Sequence, residues 1–219
     1  MAYSFPLSLA EFQDIINVAA APFRLQRSEE YSGLSSGQIL ADEMAPPLWS
    51  APVRLFPAFH DDGLETQALI DTLDGSMQSF LFYDPRAAFP RHDPDGTLLG
   101  AATPTVHSLG ADNKSIRIEG LPAGYRLSRG DMFALRYGAD PERRSLHRLS
   151  VPVEAGGTGQ TPLFEFRPHL ETGAAAGAAV ELIKPAAYMR IMPGSLSVSE
   201  ADDFGTVSIA FTAIQRLVP

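Results

Sequence analysis

Apolar and polar residues alternate along many short stretches of this chain, with the two-residue period of half-buried β-strands. The pattern is clearest in residues 48–57 and 205–214. In the first stretch, one side of the strand carries Trp49, Ala51, Val53 and Leu55. In the second, one side carries Val207, Ile209, Phe211 and Ala213. The alternation predicts a mainly β protein.

Further short strands are predicted throughout the chain. They cover residues 23–27, 38–44, 80–83, 115–119, 125–127, 132–137, 145–153, 162–167, 179–183, 188–192 and 195–199. Eighteen prolines and eighteen glycines are spread along the sequence. Such spacing is typical of frequent turns between short strands.

Two short helices interrupt the strands. Ser8 and Glu11 have the spacing of a capping box, and apolar residues follow at helical spacing until the chain reaches Pro22. A second helix is predicted from Asp62, which serves as N-cap with Glu65 three residues later, to about Gly75. The polar residues 28–37 are interpreted as a loop that reaches a neighbouring subunit.

The spacing of the predicted strands divides the chain into two domains. Prolines break any regular pattern between residues 84 and 105, and about six short strands follow up to residue 185, which is typical of a small barrel or sandwich. The strand at 205–214 is expected to pair with the early strands, so Val207, Ile209 and Phe211 should pack with Trp49 and Phe82. We therefore predict one domain from residues 1–95 and 186–219, a linker at 96–104, and an inserted β-barrel domain at 105–185.

Composition narrows the possible functions. The chain has 219 residues, 45% of them apolar, and a formal charge of −9, which argues against a surface that grips nucleic acid. There is no cysteine, which excludes disulfides, thiolate metal sites and cysteine nucleophiles. The first residues lack a signal-peptide pattern, and no apolar run has the length of a membrane span. The sequence predicts folding in a cytoplasm without membrane insertion.

Candidate chemical groups are few and scattered. Gly33, Ser35 and Gly37 match a nucleophile-elbow pattern, but polar residues precede them where a buried strand is needed. The five histidines, at positions 60, 92, 107, 147 and 169, show no metal-ligand spacing. His60 and His92 each precede an aspartate that we interpret as a helix cap or a turn residue. We predict no catalytic, cofactor or metal site, and no enzyme.

Several short segments form a recognisable pattern: Phe5-Pro-Leu-Ser, Leu48-Trp, Phe80-Leu-Phe-Tyr-Asp-Pro-Arg86, Leu121-Pro-Ala-Gly-Tyr125, Arg129-Gly-Asp131, residues 180–185, Met189-Arg-Ile and Pro193-Gly-Ser. Together they resemble a family of tail proteins from tailed bacteriophages and prophages, in the distal tail or tail-hub group. The likeness covers most of the chain and consists of structural residues. It differs from the family in one respect, since distal tail proteins more often add a domain on the C-terminal side than an insertion.

The resemblance implies a tail-tube-like β-barrel ring domain with one or two short helices that carries the inserted barrel. It also implies a structural virion protein in the tail, assembled in the bacterial cytoplasm. The expected partners are copies of itself, as a hexamer rather than a trimer, and the neighbouring tube and tip or fibre proteins. DNA would pass through the ring without specific binding. An acidic lumen would repel phosphates, and the candidates for it are Asp42, Glu43, Asp202 and Asp203.

Two alternative functions are considered, a binding module and an enzyme. A small barrel can present loops to glycans or a receptor, with Trp49 or Tyr125 stacking on a sugar. A hydrolase could use Ser35, or a histidine and an aspartate that folding brings together. An esterase and peptidase screen with a Ser35→Ala control distinguishes the latter.

Overall fold

The computed structural model describes residues 3–139 and 141–218. Residues 1, 2, 140 and 219, which fall in the predicted domain ranges, lie outside the described residues. The protein is mainly β, as predicted. Its described strands are β1 (Val18–Ala20), β2 (Arg24–Gly33), β3 (Ile39–Leu55), β4 (Ala58–Phe59), β5 (Phe80–Phe82), β6 (Thr105–Leu109), β7 (Ser115–Glu119), β8 (Arg126–Leu127), β9 (Met132–Tyr137), β10 (Arg143–Leu149), β11 (Val153–Glu154), β12 (Phe164–Arg167), β13 (Ala179–Glu181), β14 (Ala187–Ile191), β15 (Ser197–Val198), β16 (Thr206–Val207) and β17 (Ile209–Gln215). The α-helix α1 spans His60–Asp71, and a 3-10 helix spans Pro85–Ala87.

A seven-stranded sheet joins strands from both ends of the sequence. Its order is β1-β3-β17-β14-β5, with β2 paired to β3 and β15 paired to β17. Strand β17 lies between β3 and β14, with Phe211 opposite Val53. The late strand therefore pairs with the early one, as predicted.

One hydrophobic core covers the inner face of this sheet. Ile209 and Phe211 belong to it together with Trp49 and Phe82, which confirms the predicted packing for those residues. The expectation for Val207 is wrong: it lies outside this cluster and pairs with Ala58 in a separate two-stranded sheet of β4 and β16. The alternation of buried and exposed residues continues through Ser208, but the strand is interrupted there, between β16 and β17, and the two strands join different sheets.

The first predicted helix is a series of turns. Its capping box forms, since the Ser8 amide donates to Glu11 Oε2 at 2.9 Å and the Glu11 amide donates to Ser8 Oγ at 3.3 Å. Phe12 and Ile16 are buried as predicted. The backbone then enters β1 rather than continuing to Pro22, because pairing with β3 competes with helix formation.

Helix α1 begins earlier than its pattern indicated. Phe59 occupies the N-cap position without a side-chain cap, so the predicted capping box of Asp62 and Glu65 does not form. The helix approaches β16 so closely that a Cβ at Gly63 would collide with Val207. Leu64, in the first turns of the helix, is 52% exposed.

The prediction of a loop at residues 28–37 is wrong for residues 28–33 and is confirmed for residues 34–37, which form a turn. Residues up to Gly33 continue strand β2 and pair with β3 as far as Ile39. The predicted strands 38–44 and 48–57 are one strand, β3, that runs through Pro46 and Pro47. Prolines are tolerated where no ladder bond needs the amide, and the register of β2 and β3 shifts beside them.

Residues 105–181 supply a closed six-stranded barrel. The strand order is β10-β12-β7-β6-β13-β9, and the barrel has its own core of buried side chains. This agrees with the small barrel or sandwich predicted for the segment. Strand β6, which the prediction did not include, pairs with β7 and β13.

The irregular segment between the sheet and the barrel is held by buried carboxylates. Asp93 is fully buried and accepts hydrogen bonds from the amides of Leu98 and Leu99, both at 2.9 Å, and from the Tyr125 hydroxyl at 2.9 Å. Asp131 accepts from the amide of Arg91 at 3.2 Å. The predicted linker at 96–104 is thus packed against the barrel.

Side chains also join the barrel directly to the sheet. Trp49 on β3 donates from Nε1 to the carbonyl oxygen of Leu146 on β10 at 2.7 Å. The Arg148 guanidinium lies 4.7 Å from the centre of the Trp49 ring, where a cation–π contact is favourable. Met132 and Leu146 of the barrel strands belong to the core beneath the sheet.

Candidate assembly surface

A two-stranded arm leaves the sheet where β2 and β3 extend beyond their neighbours. We define the arm as residues 28–45, which begins at the pair Ser28 and Ala45 and ends in the turn after Gly33. Every residue of the arm is exposed. At about 3.3 Å per residue, the arm reaches about 20 Å beyond its base.

The arm carries large apolar side chains in contact with water. They are Tyr31 (75% exposed), Leu34 (43%), Ile39 (70%), Leu40 (58%) and Met44 (62%). A two-stranded hairpin is only marginally stable in water when nothing covers it. An exposed apolar surface of this kind is typical of a protein interaction site.

The arm also holds two of the predicted lumen residues. Asp42 lies directly opposite Glu30 in the strand register, and Glu43 lies opposite Glu29. Arg27, at the base of the arm, contacts Glu43 at 2.8 Å and Glu29 at 3.9 Å. The arm therefore has four carboxylates at its centre, two of which face a cation.

The other two predicted lumen residues lie far from the first pair. Asp202 and Asp203 are exposed in the loop between β15 and β16, past the end of β3 where Arg54 faces Ala210. Residues 42 and 54 are separated by about 40 Å along an extended strand. The fold of one subunit does not bring the four carboxylates together.

Asp202 has a local structural role as well. It accepts hydrogen bonds from the Thr206 amide at 2.8 Å, the Thr206 hydroxyl at 2.7 Å and the Phe204 amide at 3.0 Å. The bonds from Thr206 lower the pKa of Asp202, because they favour the charged carboxylate. This side chain organises its own loop, which sequence patterns alone did not indicate.

The outer face of the sheet carries three exposed arginines. Arg24, Ser50, Ile214 and Arg190 are successive partners across β2, β3, β17 and β14, so they occupy one row on one face. Arg54 lies four residues beyond Ser50 on the same face. Within residues 3–139 and 141–218, none of these arginines has a carboxylate within 4.0 Å. We call Arg24, Arg54 and Arg190 the arginine patch.

The arginine patch is not evident from the sequence, for a physical reason. Strand alternation does show that Arg54 lies on the side opposite Val53 and Leu55. It does not show which strands are neighbours, and the three arginines are 30 or more residues apart in sequence. Strand order alone brings them to one surface.

A cleft of about 580 Å³ lies at the end of the sheet away from the arm. Its walls include the exposed apolar side chains of Tyr3, Ile15, Phe56 and Phe59. The carboxylates of Asp62 and Glu65 also line it. This cleft is a second exposed apolar surface on the same sheet.

The groups considered for hydrolysis do not form an accessible nucleophilic site. Ser35 lies in the turn between two antiparallel strands, whereas a nucleophile elbow joins a strand to a helix. Ser145 Oγ does lie 2.6 Å from His147 Nε2, but His147 is fully buried and its Nδ1 bonds the carbonyl of Pro168 at 2.9 Å. In the described part of the chain, no three metal-binding side chains converge.

The aromatic residues considered for sugar stacking are buried. Trp49 is 1% exposed and Tyr125 is 5% exposed, with its hydroxyl bonded to Asp93. The interpretation of either ring as a stacking platform is therefore wrong. Burial and the bond to Asp93 raise the pKa of Tyr125.

No protein-family model matches the chain, and no curated protein matches it. Among the described helices, none is long and apolar enough to cross a membrane.

Proposed function

We propose that the protein is a structural subunit of a bacteriophage tail. In this proposal, copies of the chain form a ring at the distal end of the tail tube, join the tube to the tip complex and let DNA pass. The observation that carries the proposal is the exposed arm, whose apolar side chains require a partner that the single chain does not provide. The resemblance of several segments to distal tail and tail-hub proteins supplies the biological setting.

The architecture fits such a subunit. The seven-stranded sheet, with α1 and the turns before it, is the proposed tail-tube-like ring domain of residues 1–95 and 186–219. The closed barrel of residues 105–185 is the proposed inserted domain, which faces tip or fibre proteins. Side-chain contacts such as the hydrogen bond from Trp49 to the carbonyl of Leu146 join the two parts of the proposed subunit.

The charge distribution supports the passage of DNA. A net charge of −9 per subunit is multiplied in a ring, and an acidic lumen prevents phosphates from binding. Asp42 and Glu43 on the arm and Asp202 and Asp203 near the opposite end of the sheet are the proposed lumen residues. We propose six subunits, following the symmetry that the resemblance implies.

Labelling of virions tests this function. Phage particles are induced from the source bacterium and purified, and an antibody against the chain is applied before electron microscopy. We expect the label at the distal end of the tail, and the chain should co-purify with particles on immunoblots. Particles that infect normally and contain none of this chain would refute the proposed function.

A further inference from the structure

The centre of the arm has an unusual arrangement of like charges. Glu30 and Asp42 face each other directly in the register of β2 and β3. Like charges in directly opposed positions destabilise a strand pair. The nearby cation Arg27 contacts Glu43 and Glu29 instead. A cationic surface from outside the arm would remove this repulsion.

The arginine patch has the opposite sign and a matching size. Arg24 and Arg190 lie three strand spacings apart, about 14 Å, and Arg54 lies about 13 Å from their row. The outward-facing residues between them include Ser50, Pro52 and Thr212, which are uncharged and small enough for a two-stranded ribbon to lie flat against them.

We infer that the acidic face of the arm, with Glu30 and Asp42, binds the arginine patch of a second copy of this chain. Among the described residues of one subunit, no ion pair joins Glu30 or Asp42 to an arginine of the patch, and the arm is exposed along its whole length. The contact therefore joins two molecules.

The two surfaces are different parts of the subunit, so the contact is head-to-tail. Such a heterologous contact forms a ring if the rotation between neighbours closes, and a filament if it does not. This inference rests on the proposed ring and specifies how its subunits hold each other. Leu40 lies on the same side of the arm as Glu30 and Asp42, two residues from Asp42, and would lose its contact with water there.

Charge reversal on each side tests the pairing. The arm variant carries Glu30→Lys and Asp42→Lys, and the patch variant carries Arg54→Glu and Arg190→Glu. All four positions are exposed, so the thermal unfolding temperature of each variant should stay close to that of the unchanged protein. Sedimentation equilibrium and light scattering in low salt give the native mass, which for one chain is 23.6 kDa.

We expect the unchanged protein to self-associate, and each variant alone to dissociate with a dissociation constant at least about tenfold higher, which corresponds to about 1.4 kcal/mol. An equimolar mixture of the two variants should assemble again, because the reversed arm then meets the reversed patch. A control with Asp71→Lys and Glu200→Lys makes the same change in net charge as the arm variant, but at exposed sites elsewhere. This control should assemble normally.

Three results would overturn the inference. They are an unchanged protein that stays at one chain's mass at millimolar concentration, variants that assemble as well as the unchanged protein, and a mixture that does not recover assembly.

If single-stranded DNA binds the patch and the patch variant loses only that binding, the partner is nucleic acid instead. Virion labelling distinguishes this inference from the proposed function. If the label lies on the tail but the charge-reversal variants assemble as well as the unchanged protein, the proposed function stands and only the contact between arm and patch is refuted.

Discussion

Individual buried polar residues form hydrogen bonds inside the hydrophobic cores of this protein. His147 is the clearest example, because its ring lies between Phe133 and Phe166 with centroid distances of 5.3 and 4.7 Å. Its Nδ1 must donate to the Pro168 carbonyl, so Nε2 accepts from the Ser145 hydroxyl, and the ring is neutral. Burial lowers the pKa of His147 to about 4.

This residue predicts a loss of stability in mild acid. Below about pH 6.5 the unfolded chain binds a proton at position 147, while the folded chain does not until about pH 4. The free energy of unfolding should therefore decrease as the pH falls through this interval, by about 3 kcal/mol in total. Urea titrations at pH 7 and pH 4.5 measure this decrease in the free energy of unfolding.

His147→Asn should show a smaller decrease between the two pH values, although it is less stable than the unchanged protein at pH 7. His60→Asn, at an exposed position, is the control and should follow the unchanged protein. An equal pH dependence in His147→Asn and the unchanged protein would contradict the assignment.

At the scale of elements, the segment between β5 and β6 shows how a stretch without strands becomes rigid. Its prolines prevent a ladder, and the buried side chain of Asp93 takes the place of one by binding two backbone amides and one hydroxyl. Asp84 has a similar role near the 3-10 helix, where it accepts from the amides of Arg86 and Phe23. Carboxylates replace β-pairing in this segment.

Asp93→Ala should therefore destabilise the protein by about 3 kcal/mol or more, because two amides and the Tyr125 hydroxyl lose their acceptor in a buried place. Asp95→Ala is the matched control two residues away: Asp95 is exposed and accepts from the amide and hydroxyl of Thr97, so its replacement should cost much less stability. Urea unfolding at pH 7 compares them. Equal costs for the two variants would mean that Asp93 does not anchor the segment.

At the scale of the whole molecule, the sheet depends on strands from distant parts of the sequence. Strand β5 pairs with β14, and the inner part of β3 pairs with β17. Without β17, Phe80 would lose its ring contact with Phe211, Val53 would lose its strand partner Phe211, and the Trp49 amide would lose its acceptor on Gln215. The early segment alone therefore does not bury a complete core.

A fragment of residues 1–95 should be unfolded by circular dichroism and amide exchange. Adding a fragment of residues 186–219 to a chain that ends at residue 185 should restore cooperative unfolding, since the added strands complete the sheet. A fragment of residues 1–95 that resists proteolysis and unfolds cooperatively would contradict the two-part domain.

The sequence by itself determined the residue types on each strand face. Alternation identified the buried sides of β3 and β17, because a strand places successive side chains on opposite faces wherever it occurs. The spacing of short strands and turn residues also indicated a small barrel or sandwich after residue 105, although β6 was not predicted and β8 lies outside the barrel. The capping box at Ser8 also formed, although the helix after it did not.

Tertiary structure decided which surfaces these elements form. Residues 28–33 became a strand because pairing with β3 satisfies their backbone, although most of their side chains are polar and gave no strand pattern. The arginine patch depends on strand order, which brings Arg24, Arg54 and Arg190 to one face from three separate segments. Local patterns are short-range, whereas neighbours in a sheet are chosen by the burial of the whole core, and that choice is made only in three dimensions.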